Sequence, residues 1–445
     1  MVTEKTITQY LDEDYRNYSL YIVEERAIPS VIDGLKPTAR KVIYAANKKL
    51  KEGKKIRVQE LAGLVMSETK YAHGDCSDTI ITMAQDFRNN MPLLIKEGQF
   101  GSRKNPEAAA PRYLKIALHP NFKLLYKDFE LLTYKYEEGQ EIEPEYFLPI
   151  IPTVLLNGSK GIAVGFASEI LNRHPEDLIE ACENIIKGKP VADLLPYYPD
   201  FDGYVDRDPE DSGRFLIQGD YQVKNTTTIE VTEIPPYTTL EEYEEILNDL
   251  EEKDKISGYE NNCNKTKVSF VVKFQRNILA ELISKNRLGD FLKMKERKRD
   301  NLVTLDEDGN VKIFKSTADL VKYFVDFRMK YVVKRKDFLI KEAERNLIIL
   351  SNRARFIKYI IEDKIKIKKT PKVDLIAKLD EFKFDKVDGN YEYLLRMPIH
   401  SLTMETYNSL LKEVEDGKLE LENNKKLVPS DMYLNDLKQL KKAIE

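Results

Sequence analysis

The helical character of the chain from Thr317 to its end constrains the fold more than any other feature of the sequence. Within this stretch five apolar residues recur at steps of three, four, three and four, the spacing of a coiled-coil seam. They are Leu347, Leu350, Ala354, Ile357 and Ile361. A helix with such a seam needs a partner helix, because the apolar stripe is otherwise left in water.

The residues that follow this helix predict where its partner comes from. Lys364 to Pro371 interrupts the helical pattern, Leu394 to Val414 forms a short helical unit, and a last helix carries an apolar stripe. That stripe consists of Leu434, Leu437, Leu440 and Ile444. Residues 317–445 therefore predict a long antiparallel coiled coil with a helical tip at about 364–425. The same pattern fits an ordinary helical hairpin equally well.

Upstream of this helical part the sequence predicts an α+β multidomain protein. Residues 1–25 form an N-terminal helical arm, and residues 26–129 hold three short helices with basic linkers, as in a winged-helix module. The wing is expected near 94–103. From 130 to 316, short β-like runs alternate with helical runs, which is typical of an α+β domain.

The charge distribution indicates one basic surface on an acidic protein. The net charge is −4, yet Arg26 to Glu60 carries ten Lys or Arg against three Asp or Glu. Glu137 to Glu145 carries five Glu and no basic residue. A polyanion that binds this chain would therefore meet residues 26–60.

Cysteines and apolar runs exclude several classes of protein. Cys76, Cys182 and Cys263 lie far apart, so they fit neither a disulfide framework nor a zinc site, and they favour a reducing compartment. Neither a signal core in residues 1–20 nor an apolar run long enough to span a membrane is present in the sequence.

Tyr113, directly after Arg112, is the strongest candidate for chemistry. A phenol with a pKa of about 10 is a weak nucleophile at neutral pH, so attack on phosphorus needs a base or a neighbouring cation. Arg112 would supply a planar donor fork for the phosphate oxygens. An Arg-Tyr pair by itself is more often ordinary surface, and its weight comes from the motifs that precede it.

Further candidates lie in those motifs. His73 suits phosphate binding or proton transfer, or else caps a helix at the surface. Four basic residues would contact the phosphates of a DNA backbone, or else form a solvated basic face. They are Arg26, Lys36, Arg40 and Lys41. Ile170 follows a glycine-rich stretch, and there it would either wedge between base pairs or fill a core.

Cofactor motifs are missing from the sequence. Gly158 to Gly165 fits neither a phosphate-binding P-loop nor a dinucleotide fingerprint. The acidic turns at 12–14 and 306–308 lack a third ligand, so no metal ligand is assigned. If the chemistry needs Mg²⁺, another chain is expected to supply its ligands.

The ordered set of motifs resembles the breakage–reunion subunit of type IIA DNA topoisomerases, the gyrase A and topoisomerase IV A class. The matching segments are Arg26-Ala27-Ile28-Pro29, Asp33-Gly34-Leu35-Lys36-Pro37, His73-Gly74-Asp75, Met83-Ala84-Gln85, Phe100-Gly101-Ser102, Ala108 to Tyr113 and Asn157 to Ile170. The likeness is specific in residues 24–175 and weaker onward to the terminal coiled coil.

That resemblance implies a function and an architecture. It implies a winged-helix DNA-cleavage domain at 26–129, a tower domain at 130–316, and a coiled coil ending in a helical dimer gate. Tyr113 would be the nucleophile, Arg112 its phosphate-stabilising neighbour and Arg26 an active-site arginine. The positions that match phosphate or DNA contacts are His73, Lys36, Arg40 and Lys41, and Ile170 matches the intercalating isoleucine.

The resemblance also implies partners. The chain would form a homodimer through the winged-helix and gate regions and act on double-stranded DNA in the cytoplasm, or in the host cytoplasm if a phage encodes it. Mg²⁺ and ATP would be bound by partner subunits of the ATPase and TOPRIM type.

Departures from the family pattern occur at Ala39, Lys41, Ala72 and Leu171, which replace a histidine, an arginine, a residue of a His-Pro-His run and a proline. Three other functions stay open. They are an architectural DNA-bending protein, a nucleolytic or relaxase-like tyrosine enzyme, and a coiled-coil scaffold.

Overall fold

The structure is a computed structural model that describes residues 6–50, 53–264, 267–367 and 370–444. It divides into two compact units, one running up to Arg328 and including the segment from Asp436 onward, the other comprising Met329–Asn435. Two helices, Thr317–Ile361 and Pro429–Ile444, contribute residues to both units. No helix within the described residues has the length and apolar character needed to cross a membrane.

The chain begins with continuous helical turns that reach the start of the first unit's core. Their bounds are Ile7–Gln9, Tyr10–Tyr15, Arg16–Ile22 and Val23–Ala27, the second and fourth being π-helical. None of the residues from Ile7 to Ile22 is buried. Residues 1–5 of the predicted arm lie outside the described residues.

Three helices and a small sheet follow. The helices are Pro37–Lys49, Val58–Thr69 and Ser77–Ala84. In the antiparallel sheet, strand Lys115–Leu118 lies between Ile56–Arg57 and Leu94–Glu97. Pro37 opens the first helix as predicted, since its missing N–H belongs to the first turn, where no intrahelical partner exists.

The third helix is bounded by side-chain hydrogen bonds. It begins after Cys76, and the carboxylate of Asp75 accepts hydrogen bonds from the Ser77 amide at 3.0 Å and hydroxyl at 2.7 Å. It ends at Ala84, and the Asn89 side chain donates to the carbonyls of Thr82 and Gln85 at 2.7 and 2.8 Å. Those bonds occupy carbonyl oxygens at the end of the helix.

The remainder of the first unit is mixed α/β. A four-stranded antiparallel sheet runs in the order Tyr221–Val223, Thr228–Val231, Phe270–Lys273, Gly258–Asn261. A three-stranded sheet runs in the order Tyr204–Asp208, Asp211–Gln218, Lys295–Lys298. The four-stranded sheet packs on a core that includes residues of three helices, which are Leu240–Glu252, Ile278–Ser284 and Leu288–Phe291.

Smaller elements connect these parts. The helices are Pro120–Leu125, Thr153–Leu156 and Pro175–Ile186, with 3₁₀ turns at Pro111–Tyr113 and Phe129–Leu131. The strand pairs are Tyr126–Lys127 with Leu148–Pro149, Tyr134–Glu137 with Gln140–Pro144, Ser159–Ile162 with Ala167–Ile170, and Val303–Leu305 with Val311–Ile313. The turn predicted at 306–310 joins the last pair and is confirmed.

The second unit contains an antiparallel helix pair, and its second helix lies within the range of about 364–425 that the sequence predicts as the tip. Helix Met404–Lys426 lies against Thr317–Ile361, with Lys425 paired to Glu344 at 3.3 Å and Leu410 packed on Ala354 and Ile357. Glu344 of the long helix contacts Lys425, and Ile357 contacts Leu410. The residue numbers rise along one helix as they fall along the other, so the two helices are antiparallel.

Gly417 lies midway along that contact. A Cβ atom added there would be 3.6 Å from Leu347 Cδ1 and 3.9 Å from Leu350 Cδ1, both ordinary contact distances.

Two predictions are wrong in this unit. Ile361 is 39% exposed and does not extend the seam. Residues 394–414 are not one helical unit, because Pro398 cannot donate and the chain turns through a 3₁₀ turn at Ile399–Ser401.

The tip of the second unit has its own core. It is formed by the end of the long helix, helix Lys372–Glu381 and the short helix Glu392–Leu395. Its buried residues are Phe356, Ile365, Leu375, Leu379, Phe384, Tyr391 and Leu394.

Candidate active site

Asp33 is the structural centre of the Asp-Gly-Leu-Lys-Pro motif. Its fully buried carboxylate accepts from Arg40 Nε at 2.7 Å and Nη2 at 3.0 Å, and from the amides of Leu35 and Phe147, both at 3.1 Å. Gly34 has φ +67°, and a Cβ there would lie 2.4 Å from Val154 N. The motif is therefore a tightly packed turn in which glycine is required.

Two basic residues that the sequence predicts as DNA contacts form ion pairs with carboxylates of this chain. Arg40 is buried in the ion pair with Asp33, and its guanidinium also donates to the Leu35 carbonyl at 3.2 Å. Lys41 Nζ donates to Glu143 at 2.8 Å and to the Thr69 carbonyl at 3.0 Å, with its side chain 14% exposed. Each of the two charges therefore has a carboxylate partner within the protein, and contact of these side chains with DNA stays a prediction.

Lys36 differs from both, since it faces a cavity. Its Nζ donates to the Lys160 carbonyl at 2.7 Å. Burial of the ammonium lowers the pKa of Lys36, since desolvation penalises the charged form. An anion arriving beside this group would offset that cost.

The cavity has a volume of about 710 Å³, and its walls come from several segments of the first unit. Five basic residues line it, namely Arg26, Lys36, Arg88, Lys160 and Lys298. Three acidic residues also line it: Asp33 is neutralised by Arg40, Glu169 lies 3.7 Å from Lys160, and Asp78 is the third. The cavity is therefore suited to a phosphate-bearing ligand.

Arg26 and His73 are brought together, 47 positions apart in the chain, by the π-helical turn Val23–Ala27. Arg26 Nη2 lies 3.1 Å from His73 Nδ1, and Tyr21 Oη lies 2.6 Å from His73 Nε2. Because a guanidinium can only donate, Nδ1 must accept, so the ring hydrogen is on Nε2 and points to Tyr21. In this arrangement His73 orients the Arg26 guanidinium.

Tyr113 lies in the 3₁₀ turn Pro111–Tyr113 and is 68% exposed. The Arg112 guanidinium carbon is 4.7 Å from the centroid of its ring, a cation–π contact. The turn is held locally, with the Tyr113 amide donating to the Ala110 carbonyl at 2.9 Å. A phenolic oxygen and a guanidinium are thus both open to a ligand from outside.

The predicted residues form two clusters. Arg26 and His73 are in contact, and so are Arg112 and Tyr113, but no hydrogen bond or ring contact joins the pairs within the part of the chain that the structure describes.

Ile170 is not on a turn, and its wedging between base pairs stays a prediction. It ends strand Ala167–Ile170, pairs with Ser159 and is 3% exposed, although it lines the cavity. The exposed large apolar residues of this hairpin are Ile162, at 79%, and Phe166, at 39%. Strand pairing explains the difference, since side chains alternate between faces along a strand.

Several site residues were missed by reasoning from sequence. Tyr21 precedes Arg26 by five positions, in helix Arg16–Ile22 just before the π-helical turn, and Arg26 Cζ lies 5.8 Å from the Tyr21 ring centroid. Lys160, Arg88 and Lys298 carry no motif that marks them as cations of a site. Only the folded arrangement of distant segments places them on one cavity wall.

A metal site would need several donor groups close together. Among the described residues, no three His, Cys, Asp or Glu side chains lie close enough to hold a metal ion together. The residues that the structure describes therefore do not form a Mg²⁺ site of their own.

With this geometry in place, comparisons identify relatives. The family of DNA gyrase/topoisomerase IV A subunits matches residues 26–440. The chain is 33% identical to the DNA topoisomerase medium subunit of Enterobacteria phage T4, over 99% of this chain and 100% of that protein. It is also 33% identical to DNA topoisomerase 2 of Penicillium chrysogenum over 98% of its length, but spans only 30% of that relative.

A solved structure agrees with these relatives. The crystal structure of the Plasmodium falciparum topoisomerase II DNA-binding, cleavage and re-ligation domain matches with a TM-score of 0.87 at 30% identity. The match covers 98% of this chain and 64% of that one. The mixed α/β fold is thus that of this domain, and the chain belongs to the family of DNA gyrase/topoisomerase IV A subunits.

Proposed function

We propose that this chain is the DNA-cleaving and religating subunit of an ATP-dependent type II DNA topoisomerase. The exposed Tyr113 phenol beside the Arg112 guanidinium is the observation that carries the proposal. In a dimer, two chains would cut opposite strands of one duplex, a second duplex would pass through the break, and the strands would be rejoined.

The cleavage step is a transesterification. Tyr113 Oη gives up its proton and bonds to phosphorus, the P–O3′ bond breaks, and the departing 3′ oxygen takes up a proton. The product is a 5′-phosphotyrosyl link and a free 3′ hydroxyl, and the reverse step restores the strand. One phosphoester bond replaces another, so neither hydrolytic water nor an energy source is needed for this step.

The cations have separate roles in this scheme. Arg112 stabilises negative charge on the nonbridging oxygens as the tyrosine attacks. Arg26, oriented by His73, and Lys36 bind phosphates along the cavity. Ile170 lines the same cavity, but it would have to leave its buried position to wedge between base pairs.

The finer architecture is proposed by the same family relation. Residues 26–129 would be the winged-helix cleavage domain, consistent with three helices and a three-stranded sheet. Residues 130–316 would be the tower, and 317–445 the coiled coil with the dimer gate. The antiparallel helices of the second unit support the last assignment.

Partners are part of the proposal. The homodimer would form through the winged-helix and gate regions. Partner chains of the TOPRIM and ATPase type would hold Mg²⁺ and ATP respectively, since the described residues of this chain lack a metal-ligand cluster. The complex would act on double-stranded DNA in the cytoplasm, or in the host cytoplasm for a phage protein. Relaxation of supercoiled plasmid by the reconstituted complex, with and without ATP, tests this composition.

The central test is Tyr113→Phe. With partner subunits, Mg²⁺ and a labelled duplex, the wild-type chain should form a protein–DNA complex that survives denaturant, whereas Tyr113→Phe should bind the duplex and form none. Tyr136→Phe is the matched control, because Tyr136 is 69% exposed. A covalent adduct from Tyr113→Phe would overturn the proposal.

A purely architectural DNA-bending protein is the main competitor. Such a protein would keep the basic cavity but never link to DNA. Absence of any denaturant-resistant complex from the wild-type reconstitution would favour it.

A further inference from the structure

The segment between strand Leu94–Glu97 and Tyr113 is held by hydrogen bonds and an ion pair on two sides. On the helix side, Gln85 Nε2 donates to the Phe100 carbonyl at 2.7 Å. On the other side, Arg103 and Lys104 reach the α/β region that follows residue 130. We call residues 100–106 the anchor segment.

Arg103 provides the strongest of these attachments. Its Nη2 lies 2.7 Å from Glu233 Oε1, and its Nη1 donates to the Ile234 carbonyl at 3.2 Å. Both side chains are buried, with 7% and 6% of their surface exposed. A planar guanidinium held by two acceptors fixes the orientation of the Arg103 side chain as well as its distance from Glu233.

Glu233 is itself held in place. Its Oε1 accepts from the Ile234 amide at 2.9 Å and its Oε2 from the Asp202 amide at 3.2 Å. Next along the anchor segment, the Lys104 carbonyl accepts from the Leu240 amide at 3.1 Å, at the first turn of helix Leu240–Glu252. The anchor segment is therefore bonded to two elements of the α/β region.

The turn that carries Tyr113 is held by backbone bonds on both sides. On the side of the anchor segment, Ala109 N donates to Gln99 O at 2.9 Å and Tyr113 N donates to Ala110 O at 2.9 Å. On the other side, the Leu114 carbonyl accepts from Val58 N at 3.0 Å, and strand Lys115–Leu118 follows in the three-stranded sheet. The position of the nucleophile therefore depends on the sheet on one side and on the anchor segment on the other.

We infer that Arg103 and Glu233 are positioning residues for the cleavage reaction, which rests on the proposed function. Their ion pair ties the Tyr113 loop to the α/β region, so that the phenolic oxygen is presented to the phosphorus in one orientation. Breaking the pair lowers the rate of covalent attack while leaving duplex binding intact, because neither side chain lines the 710 Å³ cavity.

The experiment compares Glu233→Gln, Arg103→Ala and Arg103→Lys in the reconstituted complex. Glu233→Gln keeps the size of the side chain but removes its charge and one of its two accepting oxygens. Because a displacement of about 1 Å costs up to roughly 100-fold in rate, we expect Arg103→Ala to slow adduct formation by about 10- to 100-fold. The affinity for the duplex should change by less than about threefold. Arg103→Lys should recover part of the rate, since it keeps the charge and loses the fork.

Asp208→Asn is the matched control. Asp208 is buried and pairs with Arg297 at 2.9 Å, joining strands of the α/β region rather than the anchor segment. It should lower the unfolding temperature and leave the rate of adduct formation unchanged at temperatures where it is folded.

The outcomes distinguish failure of the proposed function from failure of the positioning role of Arg103 and Glu233. If the wild-type complex forms no adduct, the proposed function fails. If the wild type forms it and folded Glu233→Gln and Arg103→Ala match its rate, the positioning role fails. It fails equally if both variants lose rate and DNA affinity in the same proportion, since that indicates a general loss of structure.

Discussion

Two basic turns of this protein, Asp33–Lys36 and Pro111–Tyr113, are built in opposite ways. In the first, a buried carboxylate receives four hydrogen bonds, two of them from one guanidinium. In the second, an arginine and a tyrosine are exposed and local backbone bonds hold them. The first turn fixes the scaffold, while the second leaves its functional groups free for a ligand.

The comparison shows that a basic motif mixes two kinds of cation. Arg40 and Lys41 have carboxylate partners in the interior, whereas Lys36, only four positions before Arg40, faces a cavity. Proximity in sequence therefore does not predict which cation is paired with a buried carboxylate and which faces the cavity; that depends on the fold.

The largest expected effect is loss of the first turn through Gly34→Ala. The new Cβ would lie 2.4 Å from Val154 N, and φ is +67°. Strain of about 1–2 kcal/mol from the left-handed backbone and about 1–3 kcal/mol or more from the clash should combine. Thermal unfolding should show a strongly destabilised chain. Gly309→Ala, at φ +83° with open space around it, carries the backbone strain alone. Equal losses for the two variants would contradict the packed-turn description.

Arg40→Met should come next. It leaves the Asp33 carboxylate buried without its cation, a change that typically costs about 3–5 kcal/mol. Denaturant unfolding measures the loss, and Arg299→Met, which removes an exposed pair with Asp211, should cost at most about 1 kcal/mol. A large loss of DNA affinity at unchanged stability would instead indicate that Arg40 contacts DNA.

Arg112→Ala probes the second turn, where the effect should appear in chemistry and not in folding. Loss of a charge-stabilising donor typically costs about 100-fold or more in rate. Adduct formation should fall by about that factor with the unfolding temperature unchanged. Arg112→Lys should recover little, because an ammonium lacks the planar fork. The contrast between the turns would be broken if Arg112→Ala mainly unfolded the chain.

Lys36 should give the smallest effect, seen in pH dependence. Burial lowers its pKa below the ordinary value of about 10.4. The folded chain therefore bears a desolvation cost below the lowered pKa, which is relieved as pH rises towards the unfolded value. DNA affinity should fall over the same alkaline range as the charge is lost. In Lys36→Arg that fall should be absent, since a guanidinium stays charged there. Identical pH profiles for the two proteins would rule out this role.

The sequence predicted the elements better than the site. The first two core helices, the hairpin turn at 306–310 and the long helix follow from periodicity and turn residues, which are local properties. Helix Met404–Lys426, which packs on the long helix, lies within the range that the sequence predicts as the tip. Ile170 and Lys41 could not be placed this way. Strand register buries the first, and a carboxylate 102 positions away pairs with the second. Tyr21 was missed because a π-helical turn has no simple residue signature.

Gly417 has a consequence for the stability of the helix that carries it. Alanine would fit beside Leu347 and Leu350 and would raise the stability of helix Met404–Lys426 by about 1 kcal/mol. The glycine therefore leaves this 23-residue helix less stable than its packing would allow.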